Sequence, residues 1–274
     1  MDAPQSGWEL FAGDGLERMR GMPDGCIDAI ITDPPYGTTK CGWDVAATDD
    51  AWWEQALRVT RPRAALVLFA CGLFTADLMR ARRSLYRYKW VWDRGDRPTG
   101  ALDANRRPMR VHEDILVFGR MMPWYRPVKR AGPLTRTCGP GASKLYHTSY
   151  EGQNRAVLSC ERHPTDIVRC DPPRRRAGDS GARVHPTQKP VELMSLLVRS
   201  YVPEGGLVLD PFAGSGTTGV AAALHGRRSI LCEREPEFCE AIRRRMTDAT
   251  PRTVAGKGSI GPPGVDEILG GRLF

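Results

Sequence analysis

The 274-residue sequence has no apolar run near the ~18 residues that a membrane-spanning helix requires. Its N-terminus lacks the basic start and apolar core of a secretory signal. None of its eight cysteines forms a CxxC pair, which predicts free thiols rather than a disulfide scaffold. Hydrophobic residues make up 41% of the chain and charged residues 26%, so wholesale disorder is excluded. These features predict a soluble, cytoplasmic protein.

The positive charge is concentrated in the middle of the chain. Lys and Arg number 40 against 32 Asp and Glu, a net charge of +8. Residues 81–183 hold 22 of the basic residues and only 10 of the acidic ones, whereas the remainder is mildly acidic. A basic insert on an acidic body suits a bound polyanion. A solvated basic face without a partner is the alternative.

Two regions have the alternating strand and helix pattern of a parallel α/β sheet. The first region contains a strand at Ile27–Thr32, a helix near Ala51–Thr60 and a strand at Ala65–Ala70. In the second region, a strand at Leu207–Leu209 is followed by a glycine turn and then by a helix that runs to about His225. A strand at Ser229–Cys232 and a helix at Glu237–Met246 come next. Weaker strand patterns occur at Asp114–Phe118 and Ala156–Leu158.

The glycine turn, DPFAGSGTTG at Asp210–Gly219, predicts a ligand site between a strand and a helix. Its glycines allow close approach of the backbone, and the helix start offers free N–H groups. No lysine follows the glycines, and we expect the ligand to be neither a dinucleotide nor a nucleoside triphosphate. Glu233 ends the next strand, where nucleoside-binding sheets place an acid that accepts hydrogen bonds from ribose hydroxyls. Glycines needed only for helix–sheet packing are the alternative.

A second motif, TDPPYG at Thr32–Gly37, places a carboxylate, two prolines and an aromatic ring at the end of a buried strand. An exocyclic amine on a heterocycle is a poor nucleophile because its lone pair is delocalised. Hydrogen bonds to the Asp33 carboxylate and the Pro34 carbonyl would favour its nucleophilic form, with Tyr36 stacked on the base. A polar turn that merely ends a strand is the alternative. Asp171-Pro172-Pro173 repeats the tripeptide before Arg174, and without the tyrosine we assign it to a basic loop.

The order of DPPY, HPTQKP and DPFAGSGTT resembles that of the S-adenosylmethionine-dependent DNA amino-methyltransferases. GDGLERMRGMPDGCIDAIITDPPYG and VHEDILVFGR are also similar to segments of this family. The catalytic motif precedes the cofactor motif, as in the family's β arrangement. The resemblance implies a Rossmann-like, mostly parallel seven-stranded sheet with a reversed β-hairpin edge, flanked by helices. It also implies a basic target-recognition insert.

The resemblance divides the chain into a single methyltransferase domain and a C-terminal arm. The domain covers residues 1–250, with a catalytic part at 8–93, the insert at 94–183 and a cofactor-binding part at 184–250; the arm covers 251–274. The catalytic residues implied are Asp33, Pro34, Pro35 and Tyr36. The residues implied to bind S-adenosylmethionine are Asp14, Thr187, Lys189, Asp210, Phe212, Gly214, Ser215, Gly216, Thr217 and Glu233, with His185 as a weaker candidate.

Basic residues of the insert are the candidates for DNA contact. Phosphate contact would position the duplex without reading its sequence, and we assign this role to Arg94, Arg97, Arg106, Arg107, Arg110, Lys129, Arg130 and Arg136. A zinc site is an alternative use of the central cysteines and histidines. Cys160 and His163 have one CxxH spacing, but no second close pair completes a tetrahedral set, so we expect no metal.

These motifs predict an enzyme that methylates the exocyclic N6 amine of adenine in a specific sequence of double-stranded DNA. DPPY is more usual in the adenine enzymes of the family and SPPY in the cytosine enzymes, so N4 of cytosine is the first alternative. RNA or protein amines, and a DNA-binding module without activity, rank lower. A homodimer and a cognate restriction endonuclease are the further partners considered, in a prokaryotic, phage or mobile-element setting.

Overall fold

The computed structural model describes residues 7–36, 49–137, 157–173 and 188–249. The strands are β1 (Trp8–Ala12), β2 (Ile27–Thr32), β3 (Thr60–Ala70), β4 (Tyr86–Asp93), β5 (His112–Phe118), β6 (Arg130–Thr137), β7 (Val157–Arg162), β8 (Ile167–Arg169), β9 (Leu207–Asp210) and β10 (Arg228–Glu233). The helices are α1 (Gly15–Arg20), α2 (Asp50–Val59), α3 (Leu73–Ala81), α4 (Val191–Tyr201), α5 (Thr217–Leu224) and α6 (Pro236–Ala249), with a 3₁₀ turn at Ala101–Asp103.

Eight of the strands form one mixed sheet in the order β1-β10-β9-β2-β3-β5-β4-β8. Only β5 runs against its neighbours, and every other adjacent pair is parallel. The expected mostly parallel sheet with a reversed hairpin, formed by β4 and β5, is therefore confirmed. In the described ranges this sheet has eight strands rather than the expected seven, because the three-residue strand β8 adds to the outer side of β4.

The central strand β2 lies where the sequence predicts a buried strand, at Ile27–Thr32. All six of its residues are buried between β3 and β9, as expected for a continuous β-branched run in a parallel sheet. The tryptophans Trp52 and Trp53 of α2 pack in the core cluster that covers β2 and β3. Trp90 and Trp92 of β4 are also buried.

The sheet brings the carboxyl ends of its parallel strands to one edge. Asp33 follows β2, while Asp210 and Glu233 end β9 and β10. Since β4 runs parallel to β3 and β5 returns antiparallel, the connection between β4 and β5 also leaves the sheet at this edge. Ligands of open α/β sheets bind at this edge, which we call the carboxyl edge.

The chain divides into two compact units, one consisting of Pro127–Thr165 and the other of the rest. The described part of the smaller unit contains the antiparallel strand pair β6 and β7, and Lys129 Nζ, directly before β6, donates to Glu161 at 2.9 Å. The insert expected at residues 94–183 spans parts of both units. The predicted arm at 251–274 lies outside the described residues. Among the helices that the structure describes, none has both the length and the apolar character needed to span a membrane.

Candidate active site

The turn after β9 is held by the carboxylate of Asp210. Its Oδ1 accepts from the Thr32 hydroxyl at 2.6 Å and from the Phe212 N–H at 3.2 Å, and its Oδ2 accepts from the Thr218 hydroxyl at 2.5 Å. Asp210 thereby joins β2, the turn and the first residues of α5. Burial raises the pKa of Asp210 to about 6, although the bonds from Thr218 and Thr32 oppose this shift.

The glycines of this turn have two different physical roles. Gly214 and Gly216 have φ of 52° and 73°, in the left-handed region that favours glycine. Gly219 lies inside α5, where a Cβ would come within 2.6 Å of Leu231 Cδ1. The three glycines thus follow the G-x-G-x-x-G spacing, in which the third allows close contact between helix and strand.

Glu233 at the end of β10 is tied to the same turn. Its Oε2 accepts from the Gly214 N–H at 2.8 Å, and its Oε1 accepts from the Glu235 N–H at 2.9 Å. Each carboxylate oxygen retains a second lone pair for a further donor. Burial raises the pKa of Glu233, although the backbone N–H donors favour its charged form.

Asp14 stands where β1 leads into α1. Its Oδ1 caps α1 by accepting from the N–H groups of Leu16 and Glu17 at 2.9 and 3.1 Å. The preceding Gly13 N–H donates to the backbone oxygen of Glu233 at 2.8 Å. Glycine is required at position 15, since a Cβ would come within 2.4 Å of the Pro211 oxygen. These contacts bring Asp14 beside the turn after β9.

The DPPY segment carries a network of charged groups. Tyr36 OH donates to Asp33 Oδ1 at 2.6 Å, and Lys189 Nζ donates to Asp33 Oδ2 at 2.6 Å. Lys189 Nζ also lies 3.1 Å from Glu113 Oε2, and Glu113 in turn pairs with Arg94. The ammonium of Lys189 lies 4.8 Å from the centroid of the Phe69 ring. Both oxygens of Asp33 are therefore engaged.

Burial and charge set the ionisation of this network. Burial raises the pKa of Asp33, against the opposing charge of Lys189. For Glu113, the charges of Lys189 and Arg94 outweigh burial and lower the pKa. Burial disfavours charge on Lys189, but Asp33 and Glu113 outweigh it and raise the lysine's pKa. The network therefore places the Lys189 ammonium between two carboxyl groups, of which Asp33 has a raised pKa and Glu113 a lowered one.

The DPPY segment and the turn after β9 face one pocket. Of the predicted residues, its lining includes Asp14, Asp33, Pro34, Pro35, Tyr36, Lys189, Asp210, Phe212, Gly214, Ser215, Thr217 and Glu233. Gly216 lies within the turn and shapes its backbone. Thr187 and His185 lie outside the described residues. Two separate sequence motifs therefore form one site.

Sequence reasoning missed several residues of this site. Glu113 and Phe69 contact Lys189, and Thr32 and Thr218 hold Asp210. The sequence feature that could have indicated a functional role for Glu113 is the presence of acidic residues in the otherwise apolar strand VHEDILVF. Lys189 was expected to face the cofactor. It lines the pocket, and its ammonium group pairs with Asp33.

The predicted DNA-contacting residues do not share one environment. Arg97, Arg106, Arg107, Arg110, Lys129 and Arg130 are exposed. Arg107 pairs with Asp103 at 2.6 Å. Arg94 departs from the prediction, because its mostly buried guanidinium pairs with Glu113 and lies 5.0 Å from the centroid of the Trp92 ring. The Arg136 side chain lies outside what the structure describes.

Within the described ranges, no group of three or more His, Cys, Asp and Glu residues could hold a metal ion. Cys138 and His147, which belong to the zinc alternative, lie outside those ranges. Cys170 is buried, and its thiol donates to Glu192 Oε2 at 3.3 Å. Burial and the Glu192 charge raise the pKa of this thiol, which disfavours the thiolate that a metal would require.

The fold and the pocket define a class: a Rossmann-like α/β protein with a ligand site at the carboxyl edge. Three solved structures have this fold. The M1.HpyAVI–SAM complex is 21% identical with a TM-score of 0.56, covering 87% of this chain and 99% of its own. PvuII DNA methyltransferase (cytosine-N4-specific) is 16% identical with a TM-score of 0.63, covering 90% and 94%. TTHA0409 of Thermus thermophilus is 22% identical with a TM-score of 0.56, covering 89% and 96%.

Residues 27–244 match the model of the DNA methylase family of N6 and N4 methyltransferases. The chain therefore belongs to this family. It is 26% identical over 253 residues to the type II methyltransferase M.HpaI of Haemophilus parainfluenzae, covering 86% of this chain and 73% of that protein.

Proposed function

We propose that this protein transfers a methyl group from S-adenosylmethionine to the exocyclic N6 amine of adenine in duplex DNA. The observation that carries the proposal is that Asp33 opens into the same pocket as the turn after β9 and Glu233. This shared pocket supports a reaction in which a carboxylate holds an amine close to a bound nucleoside group. Membership of the DNA methylase family supports the reaction class.

The chemistry of the pocket fits S-adenosylmethionine. Glu233 and Asp14 offer carboxylate oxygens for ribose and adenine groups, and Phe212 and Phe238 offer apolar rings. The pocket contains more carboxylates than basic groups: Asp14, Asp33, Asp210, Glu233 and Glu235 against Lys189 and Arg234. Such a site favours a positively charged ligand. When bound, the cofactor supplies an electrophilic methyl group on a cationic sulfur.

Asp33 and Pro34 would orient the target amine. The two N–H groups would donate to an Asp33 oxygen and to the Pro34 carbonyl, which directs the nitrogen lone pair towards the methyl group. As a bond forms from the amine to the methyl carbon, the bond from sulfur to that carbon breaks, and the amine loses one proton. Asp33 would accept this proton, a role that its raised pKa supports.

Tyr36 must move before Asp33 Oδ1 can accept a hydrogen bond from the target amine. Its hydroxyl donates to Asp33 Oδ1, and its ring lies 4.9 Å from the Phe74 ring. Release of the hydroxyl would free one acceptor site on Asp33 and turn the ring towards the incoming base. Oδ2 would keep its bond from Lys189, which fixes the carboxylate. Lys189 is in this proposal a positioning residue for Asp33.

Adenine is preferred over cytosine because Asp33 occupies the first position of the DPPY motif. The N4 amine of cytosine is the second candidate, since the family includes both N6 and N4 enzymes. The exposed arginines Arg97, Arg106, Arg107 and Arg110, with Lys129, Arg130 and Arg136, would contact phosphates of the duplex. Chemistry on a paired base requires that the base leave the stack.

Single-molecule sequencing of DNA from cells that express the protein tests the proposal. We expect N6-methyladenine at one recurrent sequence, absent from cells that express Asp33→Ala at an equal level. N4-methylcytosine at a recurrent sequence would favour the second candidate. DNA without either mark in cells with folded wild-type protein would contradict the proposal.

A further inference from the structure

The connection between β4 and β5, residues 94–111, forms an arm that leaves the sheet at the carboxyl edge. At its base, Arg94 pairs with Glu113, which also pairs with Lys189 of the Asp33 network. The Arg94 N–H donates to the Val111 oxygen at 2.8 Å. The β4–β5 arm is thus attached directly to the candidate active site.

Backbone hydrogen bonds give this arm a defined shape. Thr99 and Arg110 exchange two such bonds at 2.8 and 3.0 Å, which close the arm like a hairpin. Beyond this bridge, Gly100 with φ of 90° leads into the 3₁₀ turn Ala101–Asp103. The N–H groups of Arg106 and Arg107 return to the Asp103 oxygen. The far end of the arm is therefore a fixed turn.

Leu102 in this turn is 103% exposed, so its whole side chain lies in water. Met109 and Val111 of the arm are also exposed. A single exposed leucine is ordinary on a protein surface. This leucine differs because it lies in a hydrogen-bonded turn at the end of an arm whose base pairs with the active-site network. The arm also carries five arginines and two aspartates.

The combination of apolar tip and basic flanks fits one kind of partner. The exposed arginines Arg97, Arg106 and Arg110 complement phosphates, whereas Leu102 complements an apolar surface. Duplex DNA offers both surfaces only where a base step has opened, because the faces of stacked bases are otherwise covered. Apolar side chains that enter such steps partly unstack the bases, at a cost that other contacts offset.

We propose that Leu102 is a wedge that enters the duplex at the position from which the target base is removed. This inference rests on the proposed function and adds to it the group that stabilises the opened duplex. Arginines of the arm hold the flanking phosphates, and Leu102 fills the gap between the neighbouring bases. The leucine acts on the DNA and makes no contact with the reacting atoms.

The test measures single-turnover methylation of two duplexes that carry the sequence methylated by the unchanged protein. In one duplex the target base is paired, and in the other it faces an abasic site, which lowers the cost of extrusion. We expect Leu102→Ala to slow methylation of the paired duplex about tenfold or more, because unstacking is no longer compensated. On the abasic duplex its rate should stay within about threefold of the unchanged protein, and Leu102→Met should largely retain the rate on both.

Met122→Ala is the matched control. Met122 is 62% exposed but follows β5, so it lies at the opposite edge of the sheet. Equal rates for Leu102→Ala and Met122→Ala on the paired duplex would overturn the wedge. So would an equal loss for Leu102→Ala on both duplexes, or a change in the sedimentation of DNA-free protein, which would indicate contact with a second copy. If the unchanged protein methylates no DNA sequence, so that no such duplex can be chosen, the proposed function is overturned and the wedge with it.

Discussion

The tripeptide Asp-Pro-Pro occurs twice in this chain, and the two copies show how the fold decides the chemistry. Both follow a strand at the carboxyl edge: Asp33 after β2, and Asp171 just beyond β8. The strand β2 is central and wholly buried, whereas β8 is a three-residue strand at the margin of the sheet. Asp33 pairs with Lys189 and Tyr36 inside a pocket, while Asp171 is exposed.

This difference explains which parts of the site could be predicted from the sequence. The buried run before Asp33 and the tyrosine after it are local features, so the sequence alone indicates that Asp33 and Asp171 have different surroundings. The turn after β9 can also be predicted from local sequence, because its glycines lie close in the chain to Asp210, the acid that ends β9. The ion pair between Asp33 and Lys189 joins residues 156 positions apart, and no local pattern predicts it.

For Arg94, the local composition of the sequence does not predict the contact that the side chain makes. Its position in a basic stretch predicts a phosphate contact, but Arg94 follows β4 directly and pairs with Glu113, the residue of β5 that lies opposite Trp92. Composition cannot distinguish an arginine that neutralises a buried acid from one that faces solvent. Asp14, predicted to bind the cofactor, lines the pocket. It also caps α1, a six-residue helix that the sequence patterns do not indicate.

The largest expected effect is a loss of stability on removal of Lys189, the lysine that pairs with Asp33 and has no counterpart at Asp171 in the described residues. Lys189→Met should lower the free energy of unfolding by about 3–5 kcal/mol, because it leaves the buried Asp33 carboxyl without a counter-charge and Glu113 with Arg94 alone. Urea denaturation followed by circular dichroism measures this change. Lys89→Met is the control: Lys89 pairs with Asp114 at 2.7 Å but is 42% exposed, and its loss should cost about 1 kcal/mol or less. Equal costs for both variants would contradict the buried network.

Substitution of the two aspartates tests the comparison directly. Asp33→Ala should reduce the single-turnover methylation rate by about a hundredfold to a thousandfold, the loss of about 2.7–4 kcal/mol of transition-state stabilisation. Affinity for S-adenosylmethionine, measured by calorimetry, should change little. Asp171→Ala should leave the rate unchanged. An Asp33→Ala protein that methylates DNA within about tenfold of the unchanged protein would remove Asp33 from the mechanism.

A smaller effect is expected at Glu233, which serves the cofactor rather than the DNA. Glu233→Gln should weaken S-adenosylmethionine binding by about 1.5–3 kcal/mol, the usual contribution of hydrogen bonds to a charged group. DNA affinity should be largely retained. Glu240→Gln, at an exposed acid of α6 that pairs only loosely with Arg243 at 3.6 Å, is the control. Unchanged cofactor affinity in Glu233→Gln would show that this carboxylate only supports the turn.

The smallest predicted effect is a proton release. The pKa of Asp210 is about 6, and a cationic ligand nearby would lower it, so binding S-adenosylmethionine at pH 6 should release up to about half a proton. Because binding releases protons, affinity should weaken as the pH falls through 6. Calorimetry in buffers of different ionisation enthalpy measures the release. S-adenosylhomocysteine, which lacks the positive charge, should release less, and Asp210→Asn should reduce the difference. Equal release for both ligands would contradict a sulfonium beside Asp210.

Transfer of an isotopic methyl group tests the central claim most directly. The purified protein is incubated with duplex DNA and S-adenosylmethionine that carries a trideuterated methyl group, and the digested nucleosides are analysed by mass spectrometry. A pocket in which Asp33 holds an exocyclic amine predicts the label on N6 of deoxyadenosine, at an initial rate about a hundredfold or more lower when Asp33→Ala replaces the unchanged protein. Label on a ring carbon, or label that persists in Asp33→Ala at the rate of the unchanged protein, would contradict the claim.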